Sequence, residues 1–326
     1  MTDRTQSGSL FTLLVFAALV LTLAAVLLSA YLRLESAGLG CENWPNCFGQ
    51  LPATRVHGLV PHTMAGAVHR FTASLLGLII VALTFLALRG RRPAALGLVA
   101  PLSVFALTVF LSVLGYSTPS PDMPAVTVGN LLGGMAMLAL LWWMGQRSVQ
   151  TIGAADYASS SIKPWVRLGL LIVTGQIVLG AVVSANFAGP SCTVLPGCNG
   201  DWASITNLLQ GFDLFDRLGV DDQGRIITGG VQKAVHMAHR IGSTVTLLYL
   251  GWLAIGAWKQ DRLRNTAISI SGLLVIQLAL GITAVFAKLP LPLVTAHNAV
   301  GAILLLSVVN LNHLVTPTRS QPDGMS

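Results

Sequence analysis

Long apolar runs separated by short polar connections dominate the chain. Eight of these runs reach the roughly 20 residues that a helix needs to cross a bilayer. They cover residues 10–32, 65–88, 94–116, 124–146, 167–188, 234–258, 265–287 and 291–313. The first run is too long for the apolar core of a secretory signal peptide, which has about 7–15 residues, so we interpret it as a retained helix. The pattern predicts an all-α membrane protein with eight transmembrane helices.

Composition and charge agree with this class. Hydrophobic residues make up 53% of the chain and charged residues 10%, whereas soluble domains carry roughly 25% charged residues. The net charge of +7 does not indicate a nucleic-acid partner, because the basic residues cluster in short connections between apolar runs. With eight spans these connections fall on one side of the membrane, and the positive-inside rule makes that side cytoplasmic. Both termini are therefore predicted to be cytoplasmic.

The chain repeats its own pattern about halfway along. Three motifs occur twice: a C-x5-C pair (Cys41 and Cys47, then Cys192 and Cys198), a His-Arg pair (His69-Arg70, then His239-Arg240) and a Pro-x-Val-Thr run (from Pro124, then from Pro292). Four spans in each half give both halves the same orientation. We expect two tandem, pseudo-symmetric four-helix bundles, residues 1–148 and 166–326, joined by a cytoplasmic linker at 149–165.

Two histidines in the second half are candidate metal ligands. His239 and His297 lie at similar shallow depth from the outer ends of the sixth and eighth spans. Two imidazoles that face each other across a helix bundle form a bis-histidine haem site. The alternative is that both are interfacial histidines bonded to backbone carbonyls. Zinc is disfavoured because the cysteines lie in loops, away from these helices.

The arginines that follow the paired histidines have two interpretations. Arg70 and Arg240 each stand at the outer end of a span, where a guanidinium can form a bidentate contact with a haem propionate. Either side chain can instead extend to lipid headgroups. The duplication favours a functional role.

The cysteines all lie outside the predicted spans, two in each of two outer loops. For Cys192 and Cys198 the simplest interpretation is a structural disulfide in an oxidising compartment. For Cys41 and Cys47 a disulfide and a redox-active thiol pair both remain open.

Several motifs together resemble the haem A synthase family. They are RLESAGLGCENWPNCFG, the His69-Arg70 pair, AVHMAHRIGS and VTAHNAVGAILLL. The resemblance implies an oxidoreductase that converts a methyl group of haem O into the formyl group of haem A for cytochrome oxidase assembly. It assigns a haem b to His239 and His297 in the C-terminal half, and it assigns the substrate haem, with a catalytic role for His69, to the N-terminal half.

The same resemblance implies a location and partners. It indicates the bacterial cytoplasmic (inner) membrane, a membrane electron donor, and functional links to haem O synthase and to assembly factors of cytochrome oxidase. A homo-oligomer is also compatible with the sequence.

The chain departs from the family pattern in the predicted substrate half. The family has a catalytic glutamate three residues before the His69 position, where this chain has Gly66. The histidine expected on the fourth span is replaced by Gly129 or Asn130, depending on the alignment. An alternative function is therefore a diverged haem-binding membrane protein that carries haem or passes electrons without hydroxylating it. A quinone-linked cytochrome b is a third hypothesis, but it needs more axial histidines in one bundle.

Overall fold

The protein folds into long helices that run side by side. The structure is a computed structural model, and it describes residues 2–37, 49, 64–93, 96–117, 123–149, 161–200, 202–222 and 225–316. Its helices are α1 (Thr2–Ser36), α2 (Met64–Leu88), α3 (Val99–Ser117), α4 (Pro124–Val149), α5 (Lys163–Ala185), α6 (Ile205–Gly211), α7 (Gly230–Trp258), α8 (Asp261–Phe286) and α9 (Leu291–Leu314).

Eight of these helices, all except the short α6, are long and apolar enough to cross a membrane. Many large apolar side chains on the outside of the bundle are exposed, among them Phe71 (71%), Leu171 (67%), Leu248 (67%) and Val275 (67%). An apolar outer surface is stable where lipid, and not water, is the solvent. The prediction of an all-α, multi-pass membrane protein is confirmed.

The helices of each half contact one another in the same cyclic order. In the N-terminal half (α1–α4), α1 packs on α2, α2 on α3, α3 on α4, and α4 on α1. In the C-terminal half (α5–α9), α5 packs on α7, α7 on α8, α8 on α9, and α9 on α5. Contacts of α4 with α5 and α9, and of α1 with α9, join the halves. The exact symmetry of the two bundles and the boundaries at 148 and 166 stay predictions.

Several helix ends differ from the predicted runs for local reasons. Helix α3 begins at Val99 and not at residue 94, because the Arg92 guanidinium bonds the carbonyls of Ala87 and Leu96 and holds a turn there. Helix α7 begins four residues early, at Gly230, where Oε1 of Gln232 accepts a hydrogen bond from the Gly229 amide. A helix can therefore extend beyond its apolar run when a polar side chain satisfies its free backbone groups.

The outer connection between α5 and α7 carries structure that the apolar pattern did not predict. A 3₁₀ turn covers Gly189–Ser191, and the short helix α6 follows, with the Ser204 hydroxyl accepting from the Asn207 amide at its start. This connection lies above the end of the C-terminal half that is opposite the termini. It forms part of the site described next.

Candidate functional site

A cavity of about 870 Å³ lies inside the C-terminal half, near the end opposite the termini. Its volume is within the range of about 300–1,000 Å³ that is typical of ligand and cofactor sites. Helices α5, α7, α8 and α9 supply most of its wall, which is mainly apolar. His236, His239 and His297 are the histidines that line it. The cavity therefore brings together the two histidines that the sequence predicted as haem ligands.

His239 is held in place by α5. The side-chain nitrogen of Gln176 lies 3.1 Å from Nδ1 of His239 and also 3.1 Å from its carbonyl oxygen. The other amide atom, Oε1 of Gln176, is buried without a hydrogen-bond partner among the described residues. Histidines that bind metals usually donate the N–H of their second ring nitrogen to an acceptor, a role that Oε1 of Gln176 takes if its amide is rotated.

His297 has a matching neighbour on α8. The side-chain nitrogen of Gln277 lies 3.1 Å from Nε2 of His297. Nδ1 of His297 and Oε1 of Gln277 are buried without hydrogen-bond partners among the described residues. A buried polar atom without a partner is rare in folded proteins because its desolvation is not offset. These unpaired atoms indicate that the cavity is built for a polar or metal-containing ligand.

Glycines leave space for both imidazole rings. A Cβ atom added to Gly180 of α5 would lie 3.3 Å from Cε1 of His239, and one added to Gly281 of α8 would lie 3.3 Å from Cε1 of His297. Each glycine follows its glutamine by four residues, in QIVLG and QLALG, so glutamine and glycine share one face of their helix. One glutamine and one glycine, four residues apart on one helix, therefore lie beside each histidine ring.

Arg240 ties the outer loop to α7. Its guanidinium donates hydrogen bonds to the carbonyls of Val194, Gly197 and Cys192 at 2.5–2.6 Å. Cys192 and Cys198 are joined by a disulfide, as predicted, so Arg240 holds the disulfide loop over the cavity. Leu195 and Pro196 of that loop also line the cavity. Arg240 itself lines it as well, and its proposed propionate contact stays a prediction.

His236, one helical turn before Arg240 in α7, contacts the outer connection between α5 and α7. It is buried, and its Nδ1 lies 2.8 Å from the carbonyl oxygen of Ala188, just before the 3₁₀ turn. The hydroxyl of Ser191 bonds the carbonyl of Gln232 at 3.1 Å. These contacts explain how the loop stays close to α7, and they give His236 a structural role.

The predicted substrate residues lie in the other half of the molecule. His69 is half-buried and Arg70 is exposed, both near the start of α2. Neither lines the cavity of the C-terminal half. Cys41 and Cys47 lie outside the described residues, so their pairing stays a prediction.

In the N-terminal half, Gly129 of α4 stands at the position that matches His297, and side chains of α3 pack closely against it. A Cβ atom on Gly129 would meet Cδ2 of Leu114 at 2.8 Å, and one on Gly133 would meet Cδ2 of Leu111 at 2.6 Å. Helix α4 therefore approaches α3 closely through glycines at this point. Met135, which also lies on α4, lines the cavity of the C-terminal half.

The residues of the cavity fit a haem. Two histidines from different helices provide nitrogen ligands, the glycines leave space beside each ring, and the rest of the wall is largely apolar. A haem would suit such a site, because its iron takes histidine nitrogens as ligands and its porphyrin is large and mostly apolar.

A family model described as cytochrome oxidase assembly protein, COX15-CtaA, matches residues 12–309. This chain belongs to that family. The match extends from the first transmembrane helix into the last, so it covers both histidines of the cavity and both halves of the bundle.

Individual relatives give the same result. The chain is 32% identical to heme A synthase of Shewanella oneidensis over 91% of this chain and 94% of the relative. It is 24% identical to heme A synthase of Alkalihalophilus pseudofirmus over 90% of this chain and 93% of that protein. A shorter match of 34% identity to heme A synthase of Maricaulis maris covers 42% of this chain and 37% of the relative. The resemblance predicted from the motifs is confirmed.

Sequence reasoning missed several residues of the site. Gln176 and Gln277 were not singled out, although a glutamine inside an apolar span, followed by glycine one turn later, occurs twice. Polar residues inside a membrane span are costly and therefore often functional. Arg33, in the last turn of α1, was also missed, and it lines the cavity from the N-terminal half.

Proposed function

We propose that this protein oxidises a methyl substituent of haem O to the formyl group of haem A. Its family and its relatives support a role in haem A synthesis for cytochrome oxidase assembly, carried out by an oxidoreductase. The observation that carries the proposal is the cavity of the C-terminal half, with one histidine on each of two helices and a matching glutamine and glycine beside each ring.

Within this proposal the cavity holds a resident haem b between His239 and His297. Such a haem supplies one-electron transfer when bound. The chain's own residues do the rest: Gln176 and Gln277 orient the imidazoles, and the apolar wall excludes water. Arg240 keeps the disulfide loop closed over the cavity mouth through three carbonyls.

His69 and Arg70 remain the proposed contacts of the substrate haem in the N-terminal half. The proposed membrane is the bacterial inner membrane, with both termini on the cytoplasmic side. Haem O synthase, assembly factors of cytochrome oxidase and a membrane electron donor are the proposed functional partners.

The deciding experiment measures the product directly. Cells that lack their own haem A synthase would express this protein together with a haem O synthase, and extracted haems would be separated by chromatography. We expect haem A, and we expect haem O alone in cells that carry the empty vector. Haem O that stays unconverted, although the protein is present in the membrane, would contradict the enzymatic function.

The ligand assignment has its own test in the purified protein. His297→Ala is expected to abolish stoichiometric haem b, because a nitrogen that would hold the iron is lost. The matched control is His313→Gln, which changes a buried histidine at the opposite end of the same helix, outside the cavity. An unchanged haem content and spectrum in His297→Ala would contradict the assignment.

A second function is favoured by the packing of α4. Gly129 and Gly133 lie against α3, and Gly66 stands where the family has a glutamate, so the N-terminal half lacks two expected groups. A haem-binding protein that carries haem or passes electrons would need only the C-terminal cavity. His69→Ala distinguishes the two: the enzyme loses a second, substrate haem and keeps the first, whereas the carrier shows one haem before and after the change.

A further inference from the structure

The cavity of the C-terminal half is not closed by that half alone. Helix α1 contributes Arg33 and Leu34 to its wall, and α4 contributes Thr127, Leu131 and Met135. These helices belong to the N-terminal half, and they reach the cavity through the contacts of α1 with α9 and of α4 with α5 and α9. Arg33 is the charged residue among these contributions.

One nitrogen of the Arg33 guanidinium is buried without a hydrogen-bond partner among the described residues. This nitrogen, Nε, has no access to solvent. Arginine keeps its charge under all ordinary conditions and offers five N–H donors in a fixed plane. A buried donor without an acceptor costs about 1–3 kcal/mol, and more when it is charged. An acceptor that belongs to a ligand would remove this cost.

Nearby groups in the described part of the chain do not explain this arginine. The closest acid in sequence, Glu35, is exposed. The C-terminal end of α1 favours a positive charge, which accounts for a basic residue in its last turn but not for one whose Nε lies buried beside an apolar cavity. Extension to lipid headgroups would place the guanidinium in water or at the membrane surface, whereas Nε of Arg33 is shielded from solvent.

Arg240 provides an internal comparison. It also lines the cavity, but its guanidinium donates to three carbonyls of the disulfide loop. Its donors are therefore largely used by the protein itself. Of these two arginines in the wall, Arg33 is the one with a buried donor left for a ligand.

We propose that Arg33 binds a propionate carboxylate of the haem held in this cavity. The inference rests on the proposed function, because it requires that haem. A carboxylate matches the planar donor pattern of a guanidinium and carries the opposite charge. The first helix of the N-terminal half thereby completes the haem site of the C-terminal half, and the haem links the two halves.

The test compares three full-length variants with the wild-type protein. Arg33→Gln removes the charge and the fork of donors, and Arg33→Lys keeps only the charge. The control, Arg89→Gln, removes the charge of an exposed arginine just after α2 at the other end of the bundle. The readouts are the rate of haem transfer to excess apomyoglobin and the midpoint potential of the bound haem.

We expect Arg33→Gln to lose haem roughly tenfold faster or more, because a charge-assisted hydrogen bond is lost. Its midpoint potential should fall, since a positive charge near the haem stabilises the reduced form. Arg33→Lys should fall between the wild-type protein and Arg33→Gln, and it decides the question if Arg33→Gln cannot be recovered folded. Arg89→Gln should match the wild-type protein.

A second arm identifies the anion. Reconstitution with haem dimethyl ester removes both carboxylates, so wild-type and Arg33→Gln proteins should then release haem at the same rate. A difference that persists with the ester, and that follows the amount of phospholipid added, would assign the anion to a lipid phosphate and overturn the proposal. Equal haem loss and equal potential in Arg33→Gln and Arg89→Gln would also overturn it. A wild-type protein that binds no haem would overturn the proposed function as well.

Discussion

Gln176 and His239 are joined by a single amide group that contacts both the ring and the backbone of the histidine. The Gln176 nitrogen lies 3.1 Å from Nδ1 and 3.1 Å from the carbonyl oxygen of His239. Rotation of the amide would let its unpaired Oε1 accept a hydrogen bond from Nδ1–H instead, with loss of the bond to the carbonyl oxygen. In either arrangement the glutamine orients the ring through Nδ1, and His239 lines the cavity.

The first prediction concerns this pair. Gln176→Leu keeps the volume of the side chain but removes the contact that orients His239. We expect haem affinity to fall by roughly tenfold or more, since partners of metal-binding histidines contribute about 10–100-fold. Haem titration of the purified protein measures the effect. Gln210→Leu, at an exposed position in α6, is the control, and equal affinities for the two variants would contradict the role of Gln176.

The second prediction concerns the space beside the ring. Gly180→Val should displace His239, because even the first added carbon would lie 3.3 Å from Cε1. We expect a changed low-spin haem spectrum and faster haem loss, with the helices still folded. Gly175→Val is the matched control on the same helix, since a Cβ atom there meets nothing within 4 Å. The role of Gly180 is refuted if both variants keep the wild-type spectrum.

The third prediction concerns the close approach of α4 to α3. Gly129→Ala places a carbon 2.8 Å from Cδ2 of Leu114, and the leucine must shift to admit it. We expect a loss of about 1 kcal/mol in the free energy of unfolding, read as a lower midpoint of thermal unfolding in detergent. Gly115→Ala, where a Cβ atom meets nothing within 4 Å, should be neutral or stabilising. Equal midpoints would show that α4 is not closely packed here.

The fourth prediction concerns polar contacts that join the halves near the termini. The Gln146 amide of α4 donates to Oδ1 of Asn310 on α9, and the Asn310 amide donates to the Thr266 hydroxyl of α8 at 2.9 Å. Asn310→Leu should lower the free energy of unfolding by about 1 kcal/mol, which is typical of a hydrogen bond between membrane helices.

The control for this prediction lies on the same helix. Ser307→Ala removes an exposed hydroxyl that bonds only to the preceding turn, so its stability should stay near that of the wild-type protein. A double-mutant cycle of Gln146→Leu with Asn310→Leu gives the coupling between the two helices. A coupling energy of zero would show that the contact does not stabilise the joined halves.

Hydrophobic pattern and motifs predicted much of this protein. Eight apolar runs predicted eight membrane helices, because a bilayer leaves few alternatives for a long apolar segment. The motifs around His239 and His297 predicted the family. The sequence also indicated the Cys192–Cys198 disulfide, since both thiols lie in an outer loop on the side predicted to be oxidising.

Other features depended on distances between residues that are far apart in the chain. That Arg33 of α1 shares a cavity with His239 and His297 of α7 and α9 depends on how α1 packs against α9, and no local pattern encodes that contact. The surroundings of Gly129 also could not be predicted from a local pattern. The sequence showed only that a histidine is missing there, whereas the structure shows that α3 occupies the space beside this glycine.

The sequence by itself determined the membrane class, the number of spans, the repeated motifs and the two histidines, because each follows from hydrophobicity or from spacing within one segment. Only the tertiary structure decided which side chains surround those histidines. Helix packing set the contacts of Gln176 and Gln277, turned Arg240 toward the disulfide loop and left Nε of Arg33 buried beside the cavity. The physical reason is that an apolar run fixes where a helix lies in the membrane, whereas its rotation and its neighbours are fixed by packing against other helices.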